Sequence, residues 1–160
     1  GVWQLWFVNR PIRSTPEATA LAVTADISFY DSSGTDIQLQ FTGQWAITAQ
    51  PEHAGFNEMR QAIDIPAGHI RAKLLLLAQT DTVTTRIVND AEEVTKLIYG
   101  LSGENLHERP LDADHDHYVL DKPARRLRIS LMGTNMEAER FEFDIQRAED
   151  GEVLAITQIV

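Results

Sequence analysis

Apolar and polar residues trade places at every second position over much of this chain, most clearly from Ala20 to Thr48. Leu21, Val23, Ala25, Ile27 and Phe29 alternate with Ala22, Thr24, Asp26 and Ser28. A period of two puts one set on one face of a pleated strand. Tyr30-Asp31-Ser32-Ser33-Gly34 carries turn chemistry: Asp and Ser side chains bond their own backbone, and Gly34 accepts a positive φ. The second arm repeats the pattern, with Ile37, Leu39, Phe41, Gly43, Trp45 and Ile47 on one face and Gln38, Gln40, Thr42 and Gln44 on the other. The prediction is a β-hairpin with Trp45 in the core. Two such arms cannot cover their own apolar faces, so other elements must pack over them.

The rest of the chain follows the same rule with weaker marks. Residues 2–9 read as a strand with apolar groups on both faces, ended by Pro11 and Pro16. Arg60 to Ile65 reads as a short strand with Ala62 and either Ile63 or Ile65 inward, stopped at Pro66-Ala67-Gly68. Ile70 to Ala78 is apolar enough for a helix or a buried central strand, and the surrounding β pattern favours the strand. Thr80-Asp81-Thr82 punctuates it before a further strand, Val83 to Val88. Asn89 with Glu92 has the form of a capping box, Val94, Leu97 and Ile98 share a helical face, and Gly100 stands where a C′ glycine belongs. That predicts one short helix. Strands resume at Tyr118-Val119-Leu120. Arg126–Met132 and Phe141–Ile145 form a second hairpin, on which Arg126 and Arg128 face Glu142 and Asp144. Val153 to Ile159 closes the chain as a strand.

About nine short strands with turn signals between them and one short helix predict an all-β fold, an antiparallel β-sandwich. In architecture alone the pattern resembles immunoglobulin-like and fibronectin-like modules, without the Cys–Trp–Cys core of a true immunoglobulin domain. Barrel closure is the alternative topology. No repeat or linker divides residues 1–160, so a single domain is expected. Val2-Trp3-Gln4-Leu5-Trp6-Phe7-Val8 starts in mid-pattern, without the basic region and cleavage site of a signal peptide, which suggests a piece of a longer protein.

Charge narrows the partners. With 14 Lys and Arg against 24 Asp and Glu, the net charge is −10, which argues against nucleic acid and against an anionic membrane face. No stretch approaches the roughly 20 apolar residues of a membrane span. Cysteine is absent, which excludes disulfides and thiolate metal sites.

Candidate chemistry concentrates in one acidic stretch. Asp112, Asp114 and Asp116 alternate as the oxygen ligands of calcium loops do, but the turn glycine and the bidentate Glu are missing. His115 and His117, with His107 or an Asp, can offer a zinc site with a position left for water. Against both stands a solvated acidic loop with incidental histidines. Trp3 and Trp6 are separated by an odd number of residues and face opposite ways in a strand, so one of them can form a platform for a sugar or a partner. No nucleophile elbow, phosphate loop or dinucleotide fingerprint is present. The expectation is a non-enzymatic β-sandwich module for binding or assembly, its partner another protein or the rest of a parent chain. The rivals are a metal-binding protein or metal-dependent hydrolase using residues 107–117, and a carbohydrate-binding module.

Overall fold

The structure, a computed structural model, describes residues 1–11, 18–46, 59–68, 71–88, 90–102 and 118–160. Its strands are β1 (Val2–Val8), β2 (Ala20–Tyr30), β3 (Ile37–Thr42), β4 (Gln44–Ala46), β5 (Met59–Arg60), β6 (Ile63–Ile65), β7 (Arg71–Val88), β8 (Ala91–Gly100), β9 (Arg126–Gly133), β10 (Met136–Arg147) and β11 (Val153–Gln158). They pair antiparallel into two sheets. One runs β1-β7-β4-β5, with β8 also on β7; the other runs β11-β10-β9-β2-β3, with β6 also on β2. Ile27, Phe29, Leu127 and Ile129 of the second sheet close on Trp45, Leu74, Leu77 and Ile98 of the first, all at most 1% exposed. The fold is an all-β sandwich of two layers. Among the described residues no helix is long and apolar enough to cross a membrane.

The first hairpin forms as its alternation predicts, with Ile27 opposite Phe41 and Phe29 opposite Leu39. Its turn is built from Asp31: the Ser33 hydroxyl donates to Oδ1 at 2.6 Å, and the Gly34 N–H donates to the Asp31 carbonyl at 3.0 Å. Gly34 has φ 75°, the left-handed conformation that glycine enters freely. The hydrogen bond from Ser33, with backbone N–H groups of Asp36, Thr35 and Gly34, holds the Asp31 carboxyl below the usual carboxylate range.

The second arm is not one strand. It leaves the second sheet at Gly43 and continues as β4 in the first. A Cβ on Gly43 would lie 2.8 Å from Ile27 Cδ1 and 2.9 Å from Leu74 Cδ1, one from each sheet. Only a residue without a side chain lets the backbone pass there. Trp45, 0% exposed, then sends its indole N–H back to the Val23 carbonyl at 3.1 Å. Period 2 survives such a crossing, which is why the sequence shows an unbroken strand. Arg60–Ile65 divides likewise between β5 in the first sheet and β6 in the second; Ile65 is buried, as one of the two expected isoleucines, and Ala62 is exposed rather than inward.

The segment read as a capped helix is a strand. β8 pairs with β7 from Leu77↔Gly100 to Val88↔Ala91. Asp90 takes φ 65° in the two-residue connection between Val88 and Ala91. Asn-Asp supplies the residue types a tight hairpin turn asks for, and Val94, Thr95, Ile98 and Tyr99 are β-branched or aromatic. A hairpin turn here outcompetes the helical N-cap that the same Asn would make. Thr80-Asp81-Thr82 does not end β7 either. The 18-residue strand runs through it, with its register shifted between Gln79 and Val83.

The last hairpin carries the expected charge pairs. Arg128 is opposite Glu142 and Arg126 opposite Asp144. The Arg128–Glu142 contact is 2.9 Å and the more exposed Arg126–Asp144 contact 3.6 Å. Arg140 also reaches Glu142 at 2.9 Å. Hydrogen bonds from Arg140 and then Arg128 hold the Glu142 carboxyl below its ordinary range. A carboxyl depressed in the folded state stabilises above its unfolded pKa and loses that contribution as pH falls through the lower folded value. Because the side chain is 34% exposed, solvent screening keeps the effect small. Glu142→Gln is therefore expected to cost under about 1 kcal/mol at neutral pH. Urea midpoints of the two proteins should converge as acidification carries the pH below the ordinary carboxylate range.

Candidate functional site

At one end of the sandwich the described residues leave a cleft. There β1 ends, β2 begins, and β9 turns into β10. Phe7 points inward from β1 and packs edge-on against Trp45 (centroids 5.9 Å apart) and Phe141 (5.3 Å). Buried Val23, Ile65 and Leu131 and half-buried Met136 complete an apolar floor. The cleft above it has a volume of about 440 Å³.

Two asparagines fix its walls. The Asn9 side-chain amide donates to the Ala18 carbonyl at 2.7 Å and the Ile65 carbonyl at 3.0 Å, tying the end of β1 to β6 and the approach to β2. Asn135, in the β9–β10 turn, donates to the Thr19 carbonyl at 2.7 Å and accepts the Leu21 N–H at 2.8 Å. Between them Ala22 is held at φ 49°, its N–H bonded to Asp64 Oδ1 at 2.9 Å. A left-handed alanine costs about 1 kcal/mol and persists only where its surroundings determine it. The walls are therefore set before any ligand arrives.

The rim carries the charge. Arg10 and Glu139 are exposed there and make no hydrogen bond or ion pair among the described residues. Among the described residues they are the only charged ones lining the cleft. The rim thus sets two opposite charges above an apolar floor. The arrangement suits recognition: an apolar group on the floor and polar or charged groups at the mouth.

The residues singled out from sequence fall elsewhere. Trp3 is half-buried on the inner face of β1 and packs on the core. Trp6, 46% exposed, lies on the outer face, with the Lys73 ammonium 5.4 Å from its ring centroid. The two share neither a face nor a site. His107, Asp112, Asp114, His115, Asp116 and His117 lie outside the described residues. Among the described residues, no group of three or more His, Cys, Asp or Glu is placed to hold a metal. Of the cleft residues, Phe7, Asn9, Val23, Ile65, Leu131 and Phe141 fall in segments read as strands, while Arg10, Asn135, Met136 and Glu139 fall between such segments. Asn9 before Arg10-Pro11 and Asn135 after Gly133-Thr134 were the available signals, since such amides bond nearby backbone.

No family model matches the chain, and comparisons with curated proteins and with solved structures return no match.

Proposed function

We propose that this domain is a non-enzymatic β-sandwich module, immunoglobulin-like or fibronectin-like in its layered build, whose end cleft receives an apolar group of a ligand or partner. One observation carries the reading: a cleft of about 440 Å³ with a floor of Phe7, Met136 and Phe141 and a rim that carries Arg10 and Glu139. That volume falls within the range of ligand pockets, and the asparagine-braced walls lower the ordering cost of binding. The test uses N-phenyl-1-naphthylamine, an uncharged fluorophore. Saturable binding is expected, with affinity falling at least tenfold in Met136→Trp, whose indole fills the cleft. Fluorescence that does not saturate, or that ignores the substitution, overturns the reading.

The exposure of Trp6 supports a second reading, a sugar platform on the outer face of β1. A glycan array with Trp6→Ala as control decides it. Binding lost in the variant supports the platform, and silence from the unaltered protein ends it.

A further inference from the structure

Charge is not spread evenly over the first sheet. The chain holds 24 Asp and Glu, yet β1, β4, β5 and β7 as far as Thr80 hold none. Trp3, Leu5 and Phe7 of β1 pack on the core, so alternation puts Val2, Gln4, Trp6 and Val8 on the outer face. Trp6 pairs with Lys73 and Val8 with Arg71, so both cations share that outer face. Ala46 of β4 flanks Lys73 on its other side and adds no charge. Arg60 of β5 pairs with core-facing Trp45 and so falls on the opposite face.

Apart from Gln4, every polar side chain of this patch is a hydrogen-bond donor and nothing else: an indole N–H, an ammonium and a guanidinium. Trp6 is 46% exposed, Arg71 is exposed and Lys73 is half-buried. None of the three meets a carboxylate among the described residues. The Lys73 ammonium stands 5.4 Å from the Trp6 ring centroid, which steadies the indole and leaves its other face to solvent. Beyond Val8 the cleft rim adds Arg10 and Glu139, whose charges are opposite and cancel. Among the described residues the patch therefore carries two positive charges, in a chain whose net charge is −10. At physiological salt a charge is screened within about 8 Å, so charges at contact, rather than the net charge, govern what binds.

The geometry points to an acidic saccharide as the occupant: a sugar ring lies on the free face of Trp6, and its carboxylate or sulfate groups meet Lys73 and Arg71. The indole supplies the flat apolar surface, and the two cations supply charge-assisted hydrogen bonds to anionic oxygens. A neutral sugar would find one acceptor, Gln4, for its hydroxyl protons, whereas an anionic group uses the donors that stand there. Lys73 and Arg71 lie two residues apart on one strand, about 7 Å, so neighbouring sugar units reach both. An acidic peptide would satisfy the cations without using the indole face. The inference rests on the reading of Trp6 as a sugar platform and names the class of sugar.

The test is an array that carries uronate-bearing and sulfated glycans beside their neutral counterparts, with polyglutamate as a control for charge alone. The unaltered protein should bind the acidic glycans about tenfold more tightly than the neutral ones, read as the protein concentration at half-maximal signal. Arg71→Ala/Lys73→Ala removes two exposed charge pairs and should weaken that binding about tenfold, leaving neutral glycans unaffected. Trp6→Ala should weaken binding to both kinds. Raising salt from about 50 mM to about 500 mM should erase the acidic preference. Far-UV circular dichroism checks that each variant folds, and Arg71→Gln/Lys73→Gln replaces the alanines if they do not. Neutral glycans bound as tightly as acidic ones overturn the inference and leave the sugar platform standing. Polyglutamate bound as tightly as the acidic glycans also overturns it, since the patch then reads charge alone. Silence across the array ends both readings.

Discussion

Trp45→Ala is expected to lower the unfolding free energy by about 5 kcal/mol. Two effects combine. Truncating a fully buried Trp costs roughly 3–5 kcal/mol, because the transfer free energy is lost and a cavity remains. The Val23 carbonyl, which accepts the indole N–H at 3.1 Å, is left without that donor, at about 1–3 kcal/mol. In a chain of this size the melting temperature should fall by about 10–20 °C. Trp45→Phe keeps a ring against Phe7 and loses the hydrogen bond, so about 2 kcal/mol is expected. Calorimetry on both variants checks the pair. An alanine cost under about 2 kcal/mol would mean the indole is not the seal between the sheets where the chain crosses at Gly43.

Gly100→Ala is the second large effect and comes from the opposite fault. A Cβ there would lie 2.7 Å from Phe41 Cζ and closer still to Phe41 Cε1. Phe41 is 3% exposed and fixed by Phe29 (centroids 6.2 Å apart) and Tyr118 (6.0 Å), so its ring has nowhere to swing. Overpacking of this kind costs about 3 kcal/mol. In a Phe41→Leu background the same alanine should cost about 1 kcal/mol or less, a coupling of about 2 kcal/mol. Urea unfolding of the four proteins in the cycle gives the number. Costs that add within about 0.5 kcal/mol would show that the two residues do not touch.

These sites also show where the pattern of the chain is informative and where it misleads. Alternation correctly paired β2 with β3 and β9 with β10, because a half-buried face needs period 2 whatever lies across from it. It also favoured the strand for the apolar run Ile70–Ala78, which became the first half of β7. It was silent at Gly43, because a strand that changes sheets keeps its period while exchanging its neighbours. It misled at Asn89–Gly100, where residues fit for a cap and a C′ glycine also fit a tight hairpin. The choice was made by pairing with β7, a contact that local propensity does not encode. The cleft was illegible for a related reason. Phe7 comes from β1 and Met136 and Phe141 from β10, strands far apart in sequence, and only the packing of the two sheets brings them together.

An unbroken β7 places Val8, beside the cleft, at one pole of the sandwich and the tip of the β7–β8 hairpin at the other. The chain has no cysteine, so Arg10→Cys and Ile87→Cys give two unique sites for nitroxide labels. Pulsed dipolar spectroscopy on the doubly labelled protein, diluted with unlabelled chains, measures the distance between the cleft rim and the tip of the β7–β8 hairpin directly. A continuous β7 predicts about 45–55 Å; a distance under about 30 Å, as a turn at Thr80-Asp81-Thr82 would produce, contradicts it.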